Sequence, residues 1–580
     1  MKPEKFFLSP ISVAQKQYEA LRMFFIEKQR AVEVASKFGY TYRGFTTIVS
    51  EFRKHLNTGN REELFFTDKR RGRKRTDQVS IAKEIVIELR KKYYSVEDIK
   101  VTIDSKGYKL SEKTIYNMIA EEGFSRLPRR MKTVKQQIEI PSFEAPKSVR
   151  LDFCNEEIKS TSGGILCFLP YIEKYGIREI IEQSGYPQTN TINKLSSILS
   201  FVSLKASNTR RYSADNLWCM DRGLGLFAGL NVLPKAAWFT SYSHRVTTSM
   251  NREFLKALHR KWVEEGLLSD TSNMDFTTIP YWGDGEHLEN NWAGKRGKAL
   301  SSLLAVLAHD PDTGIINYTD ADIKHRNESA VVLEFLDFYK SSSNGKDDLK
   351  YLVFDSKFTT YENLGKLNQQ GVKFITIRRR GKSLKDKIEK LPKSEWKTIR
   401  VERAGNKKRT IQVHEHQLFL KGYEDAIRQI TITGHGKIKP AIIITNDFDL
   451  SVEKVVRKYS KRWIVEKAIS EQIEFFHLNK VSSSMVIKVD FDLTMSILTH
   501  NIYRLFAMDL ERYSNLSDQT IYEKFIKNAA DIKIEQKTIS VNLKKKRQLP
   551  LVLQTMNNFQ NLIYSWFDNK KISFAGASYS

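Results

Sequence analysis

Residues 277–288, TTIPYWGDGEHL, residues 299–323, ALSSLLAVLAHDPDTGIINYTDADI, and residues 348–367, DLKYLVFDSKFTTYENLGKL, decide the fold. Each carries an apolar run of strand length. The middle stretch reads as two runs joined by the turn DPDTG, and the last leads into an amphipathic helix. Strands that give way to helices predict a mixed α/β sheet. Asp284 and Asp355 each end one of these runs. The C-terminal ends of strands form the edge where sites assemble in such sheets, and neighbouring strands can bring two carboxylates to one cation. A hard divalent cation such as Mg²⁺ takes a few carboxylates and leaves its other positions to water and phosphate.

A third carboxylate comes from residues 454–476, KVVRKYSKRWIVEKAISEQIEFF, within a helical pattern that opens at about residue 451. Tyr459, Arg462 and Glu466 stand at i, i+3 and i+7 and so share one helix face. An Arg N-terminal to its Glu is the weaker order for stabilising a helix, so helix stability alone explains the arrangement poorly. Asp320, Asp322, Glu328 and Glu471 read as loop and surface groups, and His414 with His416 as surface histidines.

The 580 residues carry 95 Lys and Arg against 68 Asp and Glu, a surplus of +27, with 41% hydrophobic residues. That is a folded, strongly basic chain whose first candidate partner is a polyanion such as nucleic acid. No apolar window approaches a spanning helix, and the start MKPEKFFLSPISVAQKQ has no signal-peptide pattern, so neither a membrane nor secretion is expected. Cys154, Cys167 and Cys219 fall in no metal-binding spacing and read as buried thiols.

Residues 1–150 hold 32 Lys and Arg against 19 Asp and Glu, about half of the surplus. Helical period over 13–29 is followed by AVEVASKFGYTYRGFTTIVSEFRKHL, residues 31–56, in which Ala35, Gly39, Phe45 and Ile48 match helix-turn-helix spacing. The second helix, about 43–55, is the expected reader, with Arg43, Arg53 and Lys54 facing DNA. A second three-helix pattern occupies 79–123 and offers Lys113. Between them DKRRGRKRTD carries Arg71, Arg73, Lys74 and Arg75, an AT-hook-like arm with Lys74 where proline stands in that motif.

The order of Asp284, Asp355 and then Tyr459-x2-Arg462-Trp463-x2-Glu466 resembles the DDE transposases of bacterial insertion sequences, the cut-and-paste group with a YREK-type signature. The resemblance covers about residues 160–510. Residues 293–314, AGKRGKALSSLLAVLAHDPDTG, are similar to the basic loop and hairpin of that family, and residues 354–381 to the segment around its second aspartate. Ile473 stands where the signature has lysine. The resemblance implies a multidomain α/β chain: a first helix-turn-helix domain (1–65), a basic linker (66–78), a second helix-turn-helix domain (79–130), a linker (131–160) and a helical platform (161–275). An RNase H-like catalytic core (276–375 and 450–510) would then be interrupted by a β-rich insertion (376–449) and followed by a C-terminal region (511–580).

It further implies that Asp284, Asp355 and Glu466 hold Mg²⁺, with Mn²⁺ able to substitute, while Tyr459, Arg462, Trp463, Lys295 and Arg296 contact DNA. The partners would be double-stranded transposon ends and target, and a second copy of the chain in a synaptic complex. The setting would be bacterial cytoplasm, at the nucleoid. A catalytically silent DNA-binding regulator or domesticated derivative is the alternative. Acids placed to face phosphate favour the enzyme.

Overall fold

The computed structural model describes residues 13–57, 77–91, 94–105, 107–121, 151, 155–209, 217–280, 289–293, 298–343, 345, 349–358, 360–379, 381–403, 407–435, 440–478 and 486–576. The chain divides into two compact units, Met1–Ile140 and Pro141–Ser580.

The first unit is helical. α1 (Val13–Phe25), α2 (Ala31–Lys37) and α3 (Tyr42–Asn57) close around Ala20, Leu21, Val34, Ala35, Phe38, Phe45 and Val49. Gly39, at φ +66°, makes the turn between α2 and α3, where its N–H donates to the Ser36 carbonyl and that of Tyr40 to Ala35. A Cβ is disfavoured at that dihedral, which accounts for the glycine. Thr41 Oγ1 accepts from the Gly44 N–H at 3.1 Å and starts α3, which is two residues longer at its end than the pattern suggested. α4 (Asp77–Lys91), α5 (Val96–Ser105) and α6 (Glu112–Glu121) enclose a second core of Val86, Ile99, Ile103, Ile115, Met118 and Ile119. Ser95 and Asp98 cap α5 reciprocally, each side chain accepting from the other's backbone N–H at 3.2 Å.

In the second unit the strands are β1 (Glu156–Ser160), β2 (Thr271–Pro280), β3 (Asn290–Ala293), β4 (Lys298–His309), β5 (Ile316–Ile323), β6 (Tyr351–Phe354), β7 (Lys373–Ile377), β8 (Lys397–Arg403), β9 (Lys407–Leu418), β10 (Ile427–Thr433), β11 (Ala441–Thr445), β12 (Ala530–Ile534), β13 (Thr538–Leu543), β14 (Ile563–Tyr564) and β15 (Lys570–Gly576). The larger sheet runs β3-β4-β2-β6-β7-β11-β10-β9-β8, with β5 on β4. β2 is antiparallel to β4 and β4 to β5, whereas β2, β6 and β7 run parallel. β2 starts at Thr271, so a core boundary at 276 would cut a strand. The strands of 376–449 do not form a separate sheet. β11 pairs with β7, and β10, β9 and β8 add on in turn, because β7 has a free edge to template them.

The smaller sheet, β1-β12-β13-β15-β14, joins the two ends of this unit. The helices of 163–264, α7 (Val486–Met508) and the C-terminal strands share one core, in which Phe168, Phe201, Trp262, Tyr503, Phe506, Ile532 and Phe567 are buried. The C-terminal region therefore completes the helical platform. Gly164 shows how closely: a Cβ there would lie 1.9 Å from the Ile526 carbonyl oxygen.

Candidate active site

The site forms where β2, β6 and two helices meet. β2 and β6 pair in parallel up to Asn273 opposite Val353, and two residues further along each lie Asp275 and Asp355. Register alone thus brings these carboxylates to adjacent strands on the sheet's C-terminal side. Burial pushes the Asp275 carboxyl up to about 6, against the pull of Arg462 and with a further push from Glu466 and Asp355.

The helix expected over 451–476 is two helices, α8 (Val452–Lys461) and α9 (Trp463–Glu474), that meet at Arg462. Arg462 keeps helical dihedrals, but its N–H reaches back to the Tyr459 carbonyl at 3.1 Å, and Asn273 Nδ2 donates to the Lys461 carbonyl at 3.1 Å. That side-chain bond from β2 takes the carbonyl a continuous helix would use and fixes the junction over the sheet. Ser451 caps α8 by accepting from the Lys454 N–H.

From the junction Arg462 donates through Nη1 to Asp275 Oδ2 at 2.7 Å and through Nη2 to Glu466 Oε1 at 2.8 Å. Its side chain is 9% exposed, that of Asp275 17% and that of Glu466 49%, so the bridge leads from the sheet out to solvent. The facing carboxylates hold the guanidinium firmly charged despite its burial. The guanidinium lies 5.6 Å from the centre of the Tyr459 ring, and burial raises the Tyr459 hydroxyl to about 12. Tyr459, Arg462 and Glu466 therefore do share one face, together with Asp355.

Asp275 is the residue that sequence reasoning missed. A single charge within the run MDFTTIP was its signal. Asp284, Lys295 and Arg296 lie outside the described residues, as do Arg71, Arg73, Lys74 and Arg75 and the side chain of Trp463. Arg43, Arg53, Lys54 and Lys113 are exposed on the first unit, and Arg53 also covers the Phe25 ring at 5.5 Å.

Three carboxylates offer hard oxygen donors only, the set a Mg²⁺ or Mn²⁺ ion prefers. A different group has the closest ligand atoms among the described residues: those of Glu471, His500 and Asp518 lie within 4.8 Å of one another. It fits a catalytic ion poorly. His500 Nδ1 is 2.5 Å from Asp518 Oδ2 and Nε2 is 2.9 Å from the Gly314 carbonyl, so both ring nitrogens are engaged, and Asp518 is fully buried. Glu471, expected at the surface, faces this pair because α9 turns that side toward α7. His414 and His416 are half-buried, not surface groups. Their rings lie 5.0 Å apart on β9, and His414 pairs with Glu395 at 2.9 Å. Cys167 and Cys219 are buried thiols, and Cys154 lies outside the described residues. No helix among the described residues is long and apolar enough to cross a membrane.

Residues 270–502 match the family model described as the transposase DDE domain, a span that contains Asp275, Asp355, Arg462 and Glu466. Comparison with curated proteins gives no match. Among solved structures, the chain is similar to one titled a cryo-EM structure of the piggyBac transposase synaptic complex with hairpin DNA. The identity is 10% and the TM-score 0.35, over 71% of this chain and 86% of that one.

Proposed function

We propose that the protein is a DNA transposase that binds the ends of a mobile element, cuts the DNA there and joins the freed 3′ ends to target DNA. The observation that carries this reading is the meeting of Asp275, Asp355 and Glu466 around Arg462 within the matched domain. The strand order β5-β4-β2-β6-β7, with carboxylates on the first and fourth strands in chain order, supports an RNase H-like core.

Asp275, Asp355 and Glu466 would hold the divalent metal, Mg²⁺ or Mn²⁺. Such ions, when bound, supply Lewis acidity that activates a water or 3′-hydroxyl and neutralises the leaving oxygen in an in-line attack at phosphorus. The chain's own groups position the DNA. Arg462 offers a planar fork to a phosphate near the scissile bond, and Tyr459 backs it. Asp284 is the other candidate for the first carboxylate. Asp275 is favoured because its strand register sets it beside Asp355 and because Arg462 links it to Glu466.

In the first unit, α3 with Arg43, Arg53 and Lys54 is the proposed reader of the ends, and α6 with Lys113 a second one. The arm with Arg71, Arg73, Lys74 and Arg75, together with Lys295 and Arg296, would add phosphate contacts. A second copy of the chain would pair the two ends, in a bacterial cell. The test is purified protein with Mg²⁺ or Mn²⁺ on DNA carrying the sequences that flank its coding region. Cleavage at the repeat ends and joined products are expected. Binding without any cut under these conditions would leave only a DNA-binding regulator.

A further inference from the structure

The carboxylate site carries its own cation. Arg462 reaches two of the three acids with separate nitrogens, at 2.7 Å to Asp275 and 2.8 Å to Glu466, and Asp355 acts on it as well. A guanidinium set between carboxylates keeps them apart. The three acids do not close to the 4.8 Å that the Glu471, His500 and Asp518 group reaches. One arm of the guanidinium is unsatisfied, since Nε is buried and has no hydrogen-bond partner among the described residues. Its backbone stands at the junction of α8 and α9, and Glu466 at the outer end of the bridge is half exposed.

We propose that Arg462 is a displaceable counter-cation, which occupies the place between Asp275 and Glu466 in the DNA-free protein and leaves it when a DNA phosphate takes the guanidinium. This rests on the reading of the site as a metal-dependent DNA-cutting centre and adds a regulation to it. Three carboxylates at one spot repel each other, and one guanidinium offsets part of that repulsion. The same positive charge opposes a divalent ion. A phosphate is a bidentate acceptor for Arg just as a carboxylate is, so the fork can pass from Glu466 to the backbone without losing its charge-assisted bonds. The acids are then free to close on a cation. Metal binding and DNA binding become coupled, and by linkage each raises the affinity of the other by the same factor. A protein built this way loads its metal where its substrate is and cuts little else.

The test uses the full chain and Mn²⁺ as the probe, with Mn²⁺ affinity measured by electron paramagnetic resonance or calorimetry, without DNA and with a duplex oligonucleotide. Wild type is expected to bind Mn²⁺ weakly alone and more tightly with the duplex. Arg462→Gln and Arg462→Met, each checked for folding by circular dichroism, should bind Mn²⁺ about tenfold more tightly without DNA and lose most of the gain from the duplex. Adding Glu466→Gln to either variant should remove that tight site. Two variants are used so that misfolding of one leaves the other. If both are folded and bind Mn²⁺ no more tightly than wild type, while wild type with DNA shows Glu466-dependent binding, the counter-cation idea is overturned and the metal site stands. If Asp275→Asn and Glu466→Gln leave Mn²⁺ binding with DNA unchanged, the metal site itself is misplaced and both ideas fall.

Discussion

Asp275→Asn separates the two candidates for the first carboxylate by stability and by activity at once. The side chains of Asp275 and Arg462 are 17% and 9% exposed. Removing one partner of a buried ion pair costs about 3–5 kcal/mol when the other charge is stranded. Here it is not wholly stranded. The asparagine oxygen still accepts from Arg462, and Glu466 keeps its own bond, although at 49% exposure that outer pair contributes only about 0–1 kcal/mol. The expected loss is therefore about 1–3 kcal/mol, or a fall of roughly 2–5 °C in the melting temperature of a unit this large. Cleavage should fall by about 10³-fold or more, the several kcal/mol that a bound ion supplies at the transition state. The assays are a thermal melt of the metal-free protein and the cutting of end-bearing DNA with Mn²⁺, with Asp284→Asn run alongside. Asp284→Asn should melt like wild type and still cut. The reverse pattern, normal cutting by Asp275→Asn and none by Asp284→Asn, would refute the assignment made through Arg462.

Other outcomes follow from the same coordinates. His500 faces Asp518 and Glu471, which raise its pKa, while burial and Arg504 oppose them, and the net shift is upward from 6.5. A folded value above the unfolded one means the stabilisation is fully present below about pH 6.5 and is lost as pH rises through the folded value. Melting temperature should fall across that window, and His500→Gln should flatten the profile; an unchanged slope in that variant would place the titration elsewhere. Gly164→Ala should lower stability by about 3 kcal/mol or abolish soluble expression, because its Cβ meets backbone at Ile526. Gly365→Ala, within the helix Tyr361–Gln369 and with nothing within 4 Å, should stabilise by about 0.5–1 kcal/mol in the same urea titration. Arg43→Ala and Lys54→Ala should each weaken end binding and reduce the salt slope by about one unit, and an unchanged slope for both would mean that α3 does not meet DNA.

The parts of the site that could be read in the sequence are those written locally. Asp355 follows an apolar run, and Tyr459, Arg462 and Glu466 recur at helical spacing, so periodicity alone put them on an edge and on a face. Asp275 depends on two non-local facts. One is the parallel register that carries β2 past Val353 to the level of Asp355, and the other is a bond from Arg462, 187 residues away. Read by itself, the run from Met274 to Pro280 looks like a strand whose business lies at its end. The break at Arg462 was hidden for the same reason, since the bond that interrupts the helix comes from Asn273 on another element. Strand order behaves likewise: the runs in 376–449 were visible as strands, but nothing local says that β11 joins β7 and continues the sheet. Local pattern names elements, whereas register and long-range polar bonds decide which of their side chains meet. A charged residue inside an apolar strand is the local trace such a meeting leaves, because burying it is costly unless a partner arrives from elsewhere in the chain. Asp275 and Arg462 answer each other in that way.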